Sequence, residues 1–353
     1  MPNAKLTLKD GSVFEGFSFG SEVGVSGEVV FNTGMVGYPE TMTDPSYKGQ
    51  IVVLTYPLVG NYGVPDDSMP DLLFKNFESN KIQIQGLVVS QQCEGFSHWS
   101  ATQSLSEWMK KYNIPGIYGV DTRQLTKKLR SSGTMLGKIS VENTAEVEIE
   151  DPNTRNLAAE VSVTEPIRYG SGEKTVVVVD CGVKNNIIRS LVKRGVSVLR
   201  VPWNYNFLET KADGILVSNG PGDPKMCTDT IAHVRAALSG HTPILGICLG
   251  SQILALAAGA NTYKLKYGHR GQNQPCVEMG TKKCFITSQN HGFAVDTKTL
   301  PQDWREWFVN DNDGTNEGII HISKPFFGAQ FHPEGAPGPD DSEFIFDMFI
   351  RTL

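Results

Sequence analysis

The chain has 353 residues, 39% of them hydrophobic and 20% charged, which suits a folded protein of about two domains and excludes general disorder. A formal net charge of -6 argues against an electrostatic nucleic-acid binder. No apolar run approaches the roughly 20 residues of a membrane helix, and the start, MPNAKLTLKD, reads as neither a secretory signal nor a transit sequence, so a cytoplasmic setting without membrane contact is expected.

The first part reads as strands. Lys5 to Lys9 alternates, Asp10-Gly11 marks a hairpin turn, and Ser12 to Phe19 continues as a second strand. Glu28 to Phe31, Gln50 to Tyr56 and Ile84 to Ser90 are further strand candidates, with a turn-rich loop from Gly34 to Lys48. Leu105, Trp108 and Met109 set a helical period over Ser100 to Tyr112, and Asp121-Thr122 opens a second helix through Leu125 and Leu129. Periodicity weakens from Val141 to Lys174. There Val147 and Ile149 alternate with glutamates, as in a short exposed strand, and the rest reads as irregular connection. The expected organisation is an N-terminal domain over residues 1–140, a linker over 141–174 and a second domain over 175–353.

From Thr175 the pattern changes. Val176 to Asp180 is a continuous apolar run, as in a strand buried on both faces. A helix over Asn185 to Lys193, a strand over Val196 to Val201, a strand over Asp213 to Val217, a helix over Thr228 to Leu238 and a strand over Pro243 to Ile247 follow. This alternation predicts an α/β domain with a doubly wound, mainly parallel sheet. Ser251 to Ala258 is helical, Cys284 to Thr287, Gly318 to His321 and Phe326 to Phe331 are β-like, and a helix closes the chain from Asp341 to about Ile350. The six cysteines form no CxxC pair, so buried, reduced thiols are expected rather than a disulfide framework or zinc site.

The chemistry concentrates at Cys248. Leu245-Gly246-Ile247-Cys248-Leu249-Gly250 puts a cysteine between glycines at a strand-to-helix switch, the cysteine form of a nucleophile elbow. A sharp turn there needs glycines, and the free N–H groups of the helix start favour a thiolate and can hold an oxyanion. A buried cysteine beside a tight turn would leave the same five-residue pattern. A nucleophile also needs a base and an orienting group. His332 and Glu334, in Gln330-Phe331-His332-Pro333-Glu334 at a strand end, supply both.

GICLG followed by FHPE resembles the class I (triad-type) glutamine amidotransferases. Ser218 to Pro224 (SNGPGDP) and Gln289 to Phe293 (QNHGF) are similar to the glutamine pocket of one member. Gly34 to Glu40 (GMVGYPE) and Thr43 to Tyr47 (TDPSY) narrow the resemblance to the small, glutaminase subunit of carbamoyl-phosphate synthetase. It extends from about Leu6 to Phe349 and is closest to the eukaryotic type, in which this unit is often the front end of a larger pyrimidine-pathway polypeptide.

The resemblance implies catalytic roles for Cys248, His332 and Glu334, with a glutamine pocket of Ser46, Gly220, Gly222, Leu249, Gln252, Asn290, Gly292 and Phe293. It implies that ammonia released from glutamine passes to a synthetase subunit or domain, for pyrimidine or arginine synthesis. ATP and Mg2+ then belong to that partner, and no cofactor or metal is expected on this chain. The loop at Gly220 lacks the lysine and hydroxyl of a phosphate-binding loop, which agrees. One departure is Ser251, where the family commonly has histidine. It leaves open a second reading, an inactive or allosteric interaction module. A cysteine peptidase or other amidohydrolase would share the elbow but not GMVGYPE, TDPSY or NHGF. His269-Arg270 is expected in a polar loop, the five tryptophans in core or interfaces, and Lys127-Lys128 with Arg130 on a solvated helix face.

Overall fold

The computed structural model describes residues 3–68, 73 and 76–353. They fall into two compact units, divided between Thr154 and Arg155.

In the first unit seven strands close into a barrel, in the order Ala4–Leu8, Met135–Val141, Val25–Asn32, Gln50–Leu54, Gly86–Val88, Pro115–Tyr118 and Val13–Gly20. The hairpin at Asp10-Gly11 forms as expected, with Gly11 at a φ of 87°, in the left-handed region that glycine enters without steric cost. Buried Val30, Val52, Leu87, Met42, Trp108 and Met109 share one core. The helix expected from Ser100 begins only at Leu105. Ser104 takes the cap in a reciprocal capping box with Glu107, and Ala101–Gln103 pairs instead as a short strand. Asp121 caps the helix Thr122–Ser132 as anticipated. Lys128 on this helix forms an ion pair with Asp10 at 2.6 Å. Trp99 is 91% exposed and so belongs to no core of its own unit. The alternation at Val147 and Ile149 forms no strand.

The second unit is built on a ten-stranded sheet. Five strands at one end of it run parallel: Ser197–Pro202, Thr175–Asp180, Gly214–Val217, Ile244–Ile247 and Phe326–Ala329, in that order. Val176 to Val179 are fully buried, which explains their unbroken apolar run. The other five strands are antiparallel, so the sheet is parallel only through the first five. Ile167–Tyr169, from the stretch expected as linker, adds to one edge. Asn316–His321, Trp304–Asn310, Asn261–Glu278 and Cys284–Asp296 extend the other. Phe326 joins the core beneath Ile253 of the helix Leu249–Ala258, while its neighbour Phe327 meets Phe349 of the helix Phe344–Thr352. Alternate residues of one strand thus carry a helix on each face.

His269 and Arg270 lie in the strand Asn261–Glu278 and are buried, not in a polar loop. Mixed polar composition hid this 18-residue strand, whose pairing is broken by two register shifts. All six cysteines are free, and Cys284 is exposed, unlike the buried thiols expected. Among the described residues no helix is long and apolar enough to cross a membrane.

Candidate active site

The two glycines around Cys248 are required by close approach. A Cβ on Gly246 would lie 2.5 Å from the Gly250 carbonyl oxygen, and one on Gly250 would collide with the Val217 carbonyl of the adjacent strand. Cys248 itself takes φ 51° and ψ -106°, a strained conformation for a residue with a side chain. Its N–H donates to the Ala329 carbonyl at 2.8 Å, which locks the turn onto the neighbouring strand. The helix starts at once at Leu249, which puts Cys248 at its N-cap.

Ile244–Ile247 and Phe326–Ala329 are adjacent and parallel, with Ile247 opposite Ala329. Cys248 and the segment Gln330–Glu334 therefore leave the sheet side by side at its C-terminal edge, where open α/β sheets place ligands. His332 N–H donates to the Ser288 carbonyl at 2.9 Å, which orients the histidine segment. His332 Nδ1 and Glu334 Oε1 are 2.6 Å apart, both residues buried. Nε2 is buried and makes no hydrogen bond.

Burial alone would push the His332 pKa down. The Glu334 charge overrides it, Lys184 opposes, the Cys248 sulfur assists, and the net result is a shift up to about 10. Glu334 moves the other way. Desolvation works to raise its pKa, but Lys184 and His332 pull it down to about 2. The arrangement is therefore built to carry an imidazolium beside the cysteine.

The second cation was not legible in sequence. Lys184 is buried, with Nζ 3.0 Å from Glu334 Oε1 and 2.5 Å from the Gly335 carbonyl oxygen. The Lys184 N–H donates to Asn219 Oδ1, tying this segment to the SNGPGDP loop. Gln330 was missed as well. Its Nε2 lies 3.6 Å from Cys248 Sγ, and its Oε1 accepts from Gln252 Nε2 at 2.9 Å.

Several of the expected pocket residues of the second unit lie next to one another or to Cys248. Gln252 Nε2 also donates to the Phe293 carbonyl at 2.8 Å. Cys248 Sγ faces the Asn290 carbonyl at 3.7 Å. Gly220 packs so tightly against Cys181 that no Cβ fits, and a Cβ there would also lie 2.9 Å from Leu249 Cδ2. Gly222 has φ 85°, a conformation for glycine. Gly292 sits on the strand Cys284–Asp296 between Asn290 and Phe293. Ser46 belongs to the first unit, buried in the short turn Pro45–Tyr47. Ser251 is buried, and its N–H donates to the Cys248 carbonyl at 3.0 Å. A Cβ on Gly328 would lie 2.6 Å from its Oγ, so Ser251 packs on the sheet, and its hydroxyl has no hydrogen-bond partner.

A strained cysteine at a helix N-terminus, a charged His–Glu pair and nearby amide donors can together attack a carboxamide carbon and protonate the leaving nitrogen.

Two family models match the chain: "Carbamoyl-phosphate synthase small chain, CPSase domain" over residues 6–139 and "Glutamine amidotransferase class-I" over residues 177–352. The chain is 54% identical to multifunctional protein CAD of Squalus acanthias, over 99% of this chain and 16% of that protein. It is 50% identical to multifunctional protein pyr-3 of Neurospora crassa, over 99% and 21%. It is 52% identical to the mitochondrial carbamoyl-phosphate synthase [ammonia] of Homo sapiens, over 99% and 24%. The chain thus spans less than a quarter of the length of these relatives.

Proposed function

The chain belongs to the class I glutamine amidotransferases that carry a carbamoyl-phosphate synthase small-chain domain, and from this premise we propose that it hydrolyses L-glutamine and delivers the ammonia to a carbamoyl-phosphate synthetase. The observation that carries the proposal is that Cys248 and the buried His332–Glu334 pair follow adjacent parallel strands and leave the same sheet edge.

In this reading the Cys248 sulfur attacks the side-chain amide carbon of glutamine. The oxyanion is held by the Leu249 N–H and one from Gly220 to Gly222. As the C–N bond breaks, His332 gives its proton to the departing nitrogen, and a glutamyl thioester remains. Water then gives a proton to His332 and adds to the thioester carbon, which releases glutamate and restores the thiolate. Glu334 keeps His332 oriented and stabilises its imidazolium form, and Lys184 holds Glu334. The pocket proposed for glutamine comprises Gly220, Gly222, Leu249, Gln252, Asn290, Gly292 and Phe293. The synthetase is either a separate subunit or a fused domain, and it would hold the ATP and Mg2+. No cofactor is assigned to this chain for the glutamine reaction.

Cys248→Ala tests the proposal. Glutamate release should fall by at least about a thousandfold, while carbamoyl-phosphate formation from added ammonia by the assembled synthetase is preserved. Near-wild-type glutamate release by the variant would overturn it. The inactive-module reading rests on Ser251, which packs against Gly328 and donates its N–H to the Cys248 carbonyl, and near-wild-type folding with no glutamate release by the unmodified chain would favour it.

A further inference from the structure

Behind the proposed glutamine pocket, three strands bring His269, His291 and Glu317 together in a buried cluster that the chemistry at Cys248 does not use. One ligand-capable atom from each lies within 4.8 Å of the other two. The hydrogen bonds around the cluster determine what those atoms present to one another.

His291 Nδ1 lies 2.8 Å from the Phe293 carbonyl, which can only accept, so the ring proton is at Nδ1. Nε2 then shows a lone pair. Yet its neighbours are Gln289 Oε1 at 3.2 Å and Glu317 Oε1 at 3.6 Å, both acceptors. The Gln289 amide is not free to turn over, because its Nε2 is held by Thr287 Oγ1 at 3.1 Å and Cys276 Sγ at 3.2 Å. His269 repeats the pattern. Its Nε2 faces Asp313 Oδ2 at 2.9 Å, which fixes a proton there and leaves Nδ1 toward Glu317 Oε1 at 3.0 Å. Asn310 Nδ2 is an amide donor beside this group, 3.3 Å from Glu317 Oε1 and 3.4 Å from His269 Nδ1. Glu317 Oε2 is buried with no partner. A second proton on His269 would answer Glu317 but would still leave His291 Nε2 facing acceptors.

We propose that His269 Nδ1, His291 Nε2 and Glu317 form a zinc-type divalent cation site, with Gln289 Oε1 or water as fourth ligand. Zinc bonds of 2.0–2.2 Å in a tetrahedron put ligand atoms about 3.4 Å apart. The 3.0 Å and 3.6 Å separations from Glu317 Oε1 bracket that value, and the two histidine nitrogens, within 4.8 Å of each other, would close on the ion by side-chain adjustment. Both histidines also carry the outer partner that metal-bound imidazoles use: Asp313 behind His269 and a backbone carbonyl behind His291. The ion would clamp three strands of the sheet. Because the same Phe293 carbonyl receives both His291 and Gln252, it would steady the back wall of the proposed glutamine pocket.

The test uses the full chain as Cys248→Ala, Cys284→Ser, so that neither the elbow thiol nor the exposed thiol competes for metal. After chelator treatment and dialysis, Zn2+ is titrated by calorimetry, and Co2+ is followed by its visible d–d bands. One ion per chain should bind, with tetrahedral cobalt absorption and a rise in melting temperature of about 5 °C at saturating Zn2+. His269→Asn and Glu317→Gln in this background should each weaken binding by at least about tenfold. Asp313→Asn, at a more exposed position that threatens folding less, should weaken it about tenfold through His269. Absence of stoichiometric binding, or binding unchanged in Asp313→Asn and in whichever ligand variants fold, would overturn the site.

Discussion

Replacing Lys184 with methionine isolates the buried charge that sequence analysis did not reveal. The side chain keeps its length and loses its ammonium, leaving the Glu334 carboxylate with one cation instead of two. At 3.0 Å and an effective dielectric of about 20, two unit charges attract by about 5.5 kcal/mol, before desolvation is set against it. Breaking a buried pair by removing one partner typically costs about 3–5 kcal/mol. Glu334 retains His332 at 2.6 Å, which places Lys184→Met near the lower end, about 3 kcal/mol. Equilibrium urea denaturation at neutral pH measures this. The double variant Lys184→Met, Glu334→Gln removes both charges and should lose less than the two single losses combined, with a coupling above about 1 kcal/mol. A single-variant loss below about 1 kcal/mol, or strict additivity, would refute the claim that this pair is desolvated and coupled. The pH dependence has a definite sign. The Glu334 pKa is depressed, so its contribution is full above the ordinary carboxylate range and is lost as pH falls toward about 2. Lys184→Met should bring that loss to higher pH.

If the His332 imidazolium is the acid for ammonia release, glutamine hydrolysis should fail on the alkaline side as pH rises toward about 10, and Glu334→Gln should move that limb down by at least about one unit, read from the pH profile of kcat. Gly328→Ala drives a methyl toward Ser251 Oγ, at 2.6 Å, and should cost about 1–3 kcal/mol in denaturation experiments. Ser251→Ala removes a buried hydroxyl without a partner, so stability should stay within about 0.5 kcal/mol of wild type. Addition of the synthetase with ATP and bicarbonate should raise glutaminase turnover at least about tenfold in steady-state assays, and equal rates would contradict coupling.

The parts of the fold that were legible in sequence are those governed by local rules. Val176 to Val179 announced a strand buried on both faces, Asp121 a helix cap, and Asp10-Gly11 a hairpin. The strand Asn261–Glu278 escaped because its burial changes face at register shifts, so no single alternation runs through it. Ser100 to Gln103 misled for a related reason. Ser104 and Glu107 carry the capping signature, yet the helical period of Leu105, Trp108 and Met109 extrapolates backward past a cap that ends it.

At the site the same division separates strain from charge. The elbow was readable because its strain is local: a left-handed cysteine between two glycines demands a five-residue pattern, whatever the rest of the chain does. Lys184 and Gln330 were not, because their roles exist only through neighbours far away in sequence. Lys184 acts on Glu334 across 150 positions, and Gln330 reaches Cys248 from the next strand over. His269, His291 and Glu317 belong to the second kind. His291 lies inside the QNHGF motif, where the glutamine pocket absorbs attention, and His269 sits in a segment that reads as loop. Only the folded sheet brings the Glu317 carboxylate to both of them. The consequence is physical: a substitution at Glu317 can reach the proposed pocket through His291 and the Phe293 carbonyl without any contact with substrate.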